Sequence, residues 1–156
     1  MPVFMSQMLD KGIDWTFFRE NIEGEYIWGN KGIEVIVLPN LYGDIVTDVA
    51  AEHQGGLGTA SSSNVGNKYA MFEAIHGTAP YLMSHGRGNY ADPCSLIRAM
   101  GMLLAHIGYG DRKALLDKAL HICTVTERKK VVTTFAEDAS AAEFTDYLIE
   151  TIEKIR

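Results

Sequence analysis

The chain has 156 residues, 47% of them hydrophobic and 22% charged, a balance that suits a soluble protein with a sizeable core. Its net charge of −6 speaks against a nucleic-acid partner, because a phosphate backbone calls for a clustered basic face. No apolar run reaches the ~18 residues of a membrane span, and the first residues lack the basic and long apolar regions of a signal peptide.

Ile13 to Arg19 (IDWTFFR) is aromatic and β-prone and predicts a strand ending on a charge. Asn21 to Gly32 is polar and glycine-punctuated, a loop. Ile33 to Leu38 (IEVIVL) is almost wholly apolar and β-branched, the pattern of a parallel strand buried on both faces, and Pro39-Asn40 stops it. Asp44 to Gln54 suits a helix with Ile45, Val46, Val49 and Ala50 inward, closed by Gly55-Gly56. Gly55 to Lys68 is small and polar throughout, a linker or an ordered loop near a site. Tyr69 to Ile75 predicts a short strand, and His76 to Ala91 an irregular region.

The last third is helical and clearly punctuated. Asp92 is a good N-cap with Pro93 at the first helical position, and Leu96, Ala99, Met100, Leu103, Leu104 and Ile107 repeat at helical spacing before Gly108. Asp111 can cap a second helix reaching about Val125, and Val131 to Phe135 is a β-prone link. Ser140 and Glu143 form a capping box for the last helix, with Phe144, Tyr147, Leu148, Ile152 and Ile155 inward. Strands followed by helices imply an α/β protein, taken as a single domain over 1–156. The densest basic run, Arg128-Lys129-Lys130, reads as a solvated helix end. Cys94 and Cys123 lack CxxC spacing and are expected as free thiols in a reducing, cytoplasmic setting.

Three places carry candidate chemistry. Asp44 and Asp48 stand four apart at the expected mouth of a helix, so both carboxylates face one way and can supply part of a divalent cation's oxygen shell; the plainer alternative is a cap and a solvated carboxylate. His76-Gly77-Thr78-Ala79-Pro80 makes a tight turn whose backbone N–H groups suit a nucleotide's ribose or phosphate, with Asp92 placed to meet a base edge; the alternative is an ordinary loop with a structural histidine. Arg19 at a strand end can clamp a carboxylate, and Tyr26 can move a proton; the alternative is a surface ion pair and a packed ring.

Together the segments FFRENIEGEY, NLYGDIVTDVAAEHQGGLGTASSSNVG and FEAIHGTAP, in that order, resemble the β-decarboxylating isocitrate/isopropylmalate dehydrogenase family, from about Gly12 through YADP to the closing EFTDYLIETI. The resemblance implies a partial fold of that type, with parallel-type strands and C-terminal helices. It implies NAD(P)-linked, metal-dependent oxidative decarboxylation of a small-molecule 2-hydroxy acid such as isocitrate. On the family's pattern Arg19 grips a substrate carboxylate, Tyr26 donates a proton, and Asp44 and Asp48 bind Mg²⁺ or Mn²⁺. His76, Gly77, Thr78, Ala79 and Pro80 take the adenosine half of the cofactor; Glu73 also matches, and the Asn64 region lies near it.

NAD is favoured over NADP, because Tyr81-Leu82 stands where NADP-using members carry a Lys-Tyr pair, and Asp92 replaces the usual Asn. The departures are larger. Family chains are longer, with an N-terminal substrate-reading lobe that has no counterpart here. The stretch holding the dimer clasp, a catalytic lysine and a further metal aspartate is missing between GIE and VIVLPNLYGD. Lys31 does not match that lysine in context, and Ile22 replaces a usual Thr. The chain alone is therefore expected to be catalytically incomplete: one component beside a complementing chain, a cofactor- or metal-binding or oligomerisation module without turnover, or a core shortened by deletion. Apolar surface left around Ile33 to Leu38 or Met71-Phe72 predicts a homo-oligomer.

Overall fold

The computed structural model describes residues 16–20, 35–54 and 56–156, the first of these by its backbone alone. The chain, expected as a single domain, groups into two compact units, Met1–Leu57 and Gly58–Arg156.

In the first unit, β1 (Thr16–Glu20) and β2 (Val35–Pro39) pair in parallel, with Arg19 opposite Leu38. Parallel pairing is what the β-branched run predicts, but burial on both faces is not found. Leu38 is buried whereas Val37 is 62% exposed, so successive side chains alternate between core and solvent. Helix α1 (Asn40–Gln54) follows at once, starting four residues before the expected Asp44. Its inward face also differs from expectation. Gly43 and Ala51 are buried and Thr47 and Ala50 half-buried, while Ile45, Val46 and Val49 are exposed. Positions 43, 47, 50 and 51 recur at helical spacing, so small residues form the packed stripe. Gly56, at φ +104°, donates to the Ala51 carbonyl at 2.9 Å and closes the helix.

In the second unit a 3₁₀ turn (Leu57–Thr59) leads into an antiparallel hairpin of β3 (Ser61–Val65) and β4 (Ala70–Ala74), with Ser61 opposite Ala74 and Val65 opposite Ala70. On β4, Ala70, Phe72 and Ala74 are half-buried and Met71 and Glu73 exposed, the period-2 pattern of a one-sided sheet. A short helix, α2 (Pro80–Ser84), and a 3₁₀ turn (Gly88–Tyr90) precede α3 (Cys94–His106), α4 (Gly110–His121) with its π-helical extension Ile122–Thr126, and α5 (Ala141–Ile155). Within the first unit the pairing is parallel and within the second antiparallel, and the C-terminal third is helical: a partial α/β fold.

Helix α3 ends as its sequence dictates. Gly108 takes φ +91°, its N–H bonds the Ala105 carbonyl at 3.1 Å, and the Tyr109 N–H reaches back to Leu104 at 2.8 Å. Tyr109, not Asp111, stands at the N-cap of α4; Asp111 falls in the first turn. No strand forms over Val131 to Phe135. The core is a cluster of Cys94, Ala119, Leu120, Cys123, Phe144, Tyr147 and Leu148, with Ile152 and Ile155 packed against it. Both cysteines are free and buried. The Cys94 thiol is held well above its usual pKa, first by burial and then by the Asp92 carboxylate, so it stays a small protonated hydrophobe. Among the described residues no helix is long and apolar enough to cross a membrane.

The capping box of α5 is present as expected. The Ser140 hydroxyl accepts the Glu143 N–H at 3.3 Å, and the Glu143 carboxylate accepts the Ser140 N–H at 2.9 Å. Those bonds, with Lys130 at 3.0 Å, lower the Glu143 pKa from 4.5 to about 2. Ser140→Ala is expected to lower the unfolding free energy by about 1 kcal/mol in urea denaturation. Because the folded-state pKa is depressed, the Glu143 contribution is complete above about pH 4.5 and is lost as pH falls towards 2. Acid titration of Glu143→Gln should lack that part of the decline.

Candidate cofactor and metal sites

Strand β4 delivers the chain into the turn that the sequence marks out. Beyond Ala74, His76, Gly77, Thr78, Ala79 and Pro80 are all exposed. The His76 Nδ1 lies 2.9 Å from the Gly77 carbonyl. A carbonyl only accepts, so in this contact an Nδ1–H would be the donor. Ala79 sits in the left-handed region (φ 46°, ψ 59°) and swings the chain into Pro80, the first residue of α2. A non-glycine residue there carries strain of about 1–2 kcal/mol, as Arg128 and Thr134 do at their own positive φ.

Two other residues singled out from the sequence come together beside this turn. The Asn64 amide on β3 donates to the Glu73 carboxylate on β4 at 2.7 Å, diagonally across the hairpin. Asp92 is half-buried, and its carboxylate accepts the Cys94 N–H at 2.8 Å, at the start of α3. One oxygen of the residue proposed to meet a base edge thus takes the first N–H of the helix, although Pro93, expected at the first helical position, itself stands at the N-cap and Asp92 one residue before it. Asp92 also packs on the glycine-rich segment: a Cβ at Gly58 would come within 3.2 Å of the Asp92 Cβ.

Sequence reasoning missed Arg87. No cation adjoins Tyr81-Leu82 in the chain, yet the Arg87 guanidinium lies 5.8 Å from the Tyr81 ring centroid and 5.2 Å from that of Phe135. It also donates to the Thr134 carbonyl at 3.5 Å, tying the region after the turn to the loop before α5. Arginine at six residues' remove from Tyr81, within a glycine-rich stretch, gives no periodic signal; only a tight turn at Ser84 to Gly88 brings it back.

In the first unit, Asp44 and Asp48 lie one turn apart on α1, both exposed. The helix begins at Asn40, so Asp44 is in its second turn; neither the expected helix mouth nor the cap role applies to it. Among the described residues no group of three or more His, Cys, Asp or Glu is placed to hold a metal ion. The pair offers two of the six or more oxygens a hard divalent cation takes, so it fits such an ion as one wall of a site and not as the whole. Arg19 lies on β1, opposite the last apolar residue of β2. Tyr26, Ile22 and Lys31 lie outside the described residues. Two residues of the basic run 128–130 are matched by carboxylates, Lys129 at 2.6 Å from Glu127 and Lys130 at 3.0 Å from Glu143.

Residues 27–149 match the family model for isocitrate/isopropylmalate dehydrogenase. The NADP-linked isocitrate dehydrogenase of Rickettsia typhi (strain ATCC VR-144 / Wilmington) is 50% identical over 86 residues, 55% of this chain and 17% of that protein. A mitochondrial regulatory subunit of the NAD-linked isocitrate dehydrogenase of Dictyostelium discoideum is 41% identical over 121 residues, 77% of this chain and 33% of its own length. Among solved structures, the isocitrate dehydrogenase from Methylococcus capsulatus superposes with a TM-score of 0.65 at 36% identity, over 76% of this chain and 34% of that one. The chain belongs to the isocitrate/isopropylmalate dehydrogenase family. It spans about a third or less of the relatives it matches, as the 17% and 33% shares state.

Asp92 separates a structural from a recognition role. Asp92→Ala is expected to cost about 1 kcal/mol in urea denaturation through loss of the cap, while Asp92→Asn, which keeps an accepting oxygen, stays near wild type.

Proposed function

We propose that this chain carries the cofactor turn and part of the metal site of an NAD(P)-linked, divalent-metal-dependent oxidative decarboxylation of a 2-hydroxy acid such as isocitrate. The observation that carries this is the exposed, strained His76–Pro80 turn, reached from a strand whose Glu73 is already hydrogen-bonded to Asn64. Its exposed backbone and the exposed His76 ring suit the adenosine half of a dinucleotide. Asp44 and Asp48 would hold Mg²⁺ or Mn²⁺ by two carboxylate oxygens, and Arg19 would pair with a substrate carboxylate. When bound, the metal and the dinucleotide supply the Lewis acid and the hydride acceptor that such an oxidation needs. Tyr26 would donate the proton that completes the decarboxylated product.

Between the two cofactors, Tyr81-Leu82 and Asp92 favour NAD, and the Arg87 guanidinium near Tyr81 weakens that preference by placing a cation close to the turn. A second reading is a binding or assembly module without turnover. It is favoured by the metal wall of only two carboxylates, Asp44 and Asp48, among the described residues.

The purified chain with NAD, Mg²⁺ and isocitrate is expected to bind the dinucleotide without measurable turnover. Steady NADH production by the chain alone would refute the incompleteness. Asp44→Asn is expected to weaken Mn²⁺ binding roughly tenfold or more in calorimetric titration, with an unchanged circular dichroism spectrum, because the side chain is exposed. Unchanged Mn²⁺ affinity would retire Asp44 as a ligand.

A further inference from the structure

Arg87 is a cation whose surroundings use it only in part. Its guanidinium lies over two rings, 5.8 Å from the Tyr81 centroid and 5.2 Å from that of Phe135. Its one hydrogen bond goes to the Thr134 carbonyl at 3.5 Å, long for such a bond. Among the described residues no carboxylate lies within ion-pair reach of it. Nor are its other N–H groups sealed inside: the buried side-chain nitrogen without a partner, among the described residues, is Arg98 Nε. The rest of the Arg87 fork therefore faces solvent.

A guanidinium held over rings keeps its full charge and its planar set of donors, which match a phosphate or carboxylate two bonds at a time. The Tyr81 ring is itself held, with the His85 ring 4.2 Å from it and the His85 Nδ1 2.8 Å from the Tyr81 carbonyl. Arg87 is thus restrained before any anion arrives, and binding one costs less side-chain freedom. Its place matters as much. Tyr81 follows Pro80 directly, so the charge stands beside the exit of the His76–Pro80 turn.

We propose that Arg87 is a specificity-determining residue: it receives the ribose phosphate of a 2′-phosphorylated dinucleotide seated on that turn. The inference rests on the nucleotide reading of the turn, and it reverses the preference for NAD drawn from Tyr81-Leu82. A cation need not adjoin the turn in sequence when α2 and the bend after it bring one back in space. Asp92, the anion that would oppose a phosphate, has one oxygen on the Cys94 N–H and packs against Gly58. A dinucleotide without the extra phosphate leaves the Arg87 fork to water.

The test is calorimetric titration of the full chain with adenosine 2′,5′-bisphosphate, 5′-AMP and inorganic phosphate, at low and at moderate salt. The bisphosphate is expected to bind at least about tenfold more tightly than 5′-AMP, with the gain shrinking as salt screens the pair. Arg87→Gln is expected to remove that gain and leave the affinity for 5′-AMP unchanged. Arg87→Lys, which keeps the charge without the fork, retains part of it. If 5′-AMP binds and the second phosphate adds nothing, the assignment of Arg87 falls while the turn reading stands. If neither adenosine ligand binds, both fall. A gain that survives Arg87→Gln, or inorganic phosphate held as tightly as the bisphosphate, overturns the proposal as well. The wild-type comparison needs no variant, so it decides even if Arg87→Gln fails to fold.

Discussion

Helix α3 holds its place because its first turn is tied down twice. The Asp92 carboxylate takes the Cys94 N–H, and the fully buried Ser95 hydroxyl donates to the Ala60 carbonyl just before β3. The second bond, with the packing of Asp92 on Gly58, fixes the helix start against the segment that leads into the hairpin, and the hairpin in turn sets where the His76 turn emerges. On its other side Cys94 enters the core with Leu120, Cys123, Phe144 and Leu148, so the same turn of helix is continuous with the three-helix cluster. Leaving the buried hydroxyl or the capped N–H unpaired would cost about 1–3 kcal/mol each, a large share of the stability of a chain this size.

The helices were legible because their ends carry chemistry. Pro93, Gly108 and the Ser140/Glu143 pair are local signals whose effect needs no tertiary context, and the observed helices respect each of them. β3 was not legible. Ser61, Ser62, Ser63 and Asn64 have low strand propensity and no apolar alternation, so the strand exists through its pairing with β4 and its packing on α3. For α1 the apolar periodicity misled in the opposite sense. Large residues at 45, 46 and 49 suggest an inward face, but the packed face is built from glycine, threonine and alanine, which a hydrophobic pattern underweights. β2 shows a further limit: an apolar run fixes neither which neighbours cover a strand nor on how many sides.

The candidate site divides along the same line. The order of motifs carries the family, and the His76 turn is exposed as its glycine and proline suggest. The Asn64–Glu73 bond joins two residues that the family resemblance had marked only loosely. Sequence separation hid Arg87, which reaches Tyr81 through a turn, and one Asp92 oxygen takes the Cys94 N–H although Pro93 holds the N-cap. Asp44 and Asp48 keep their common face but lie deeper in α1 than the motif suggests, where the helix dipole adds less to their electrostatics.

On the function proposed above, the segment after β4 is a nucleotide-binding turn. The most direct measurement is a heteronuclear NMR titration of the labelled chain with NAD, following the backbone amides. Saturable shifts centred on Gly77, Thr78 and Ala79, and extending to Asn64 and Glu73, are the predicted result. Shifts absent from those amides at saturating NAD, or confined to elements remote from the hairpin, would contradict it.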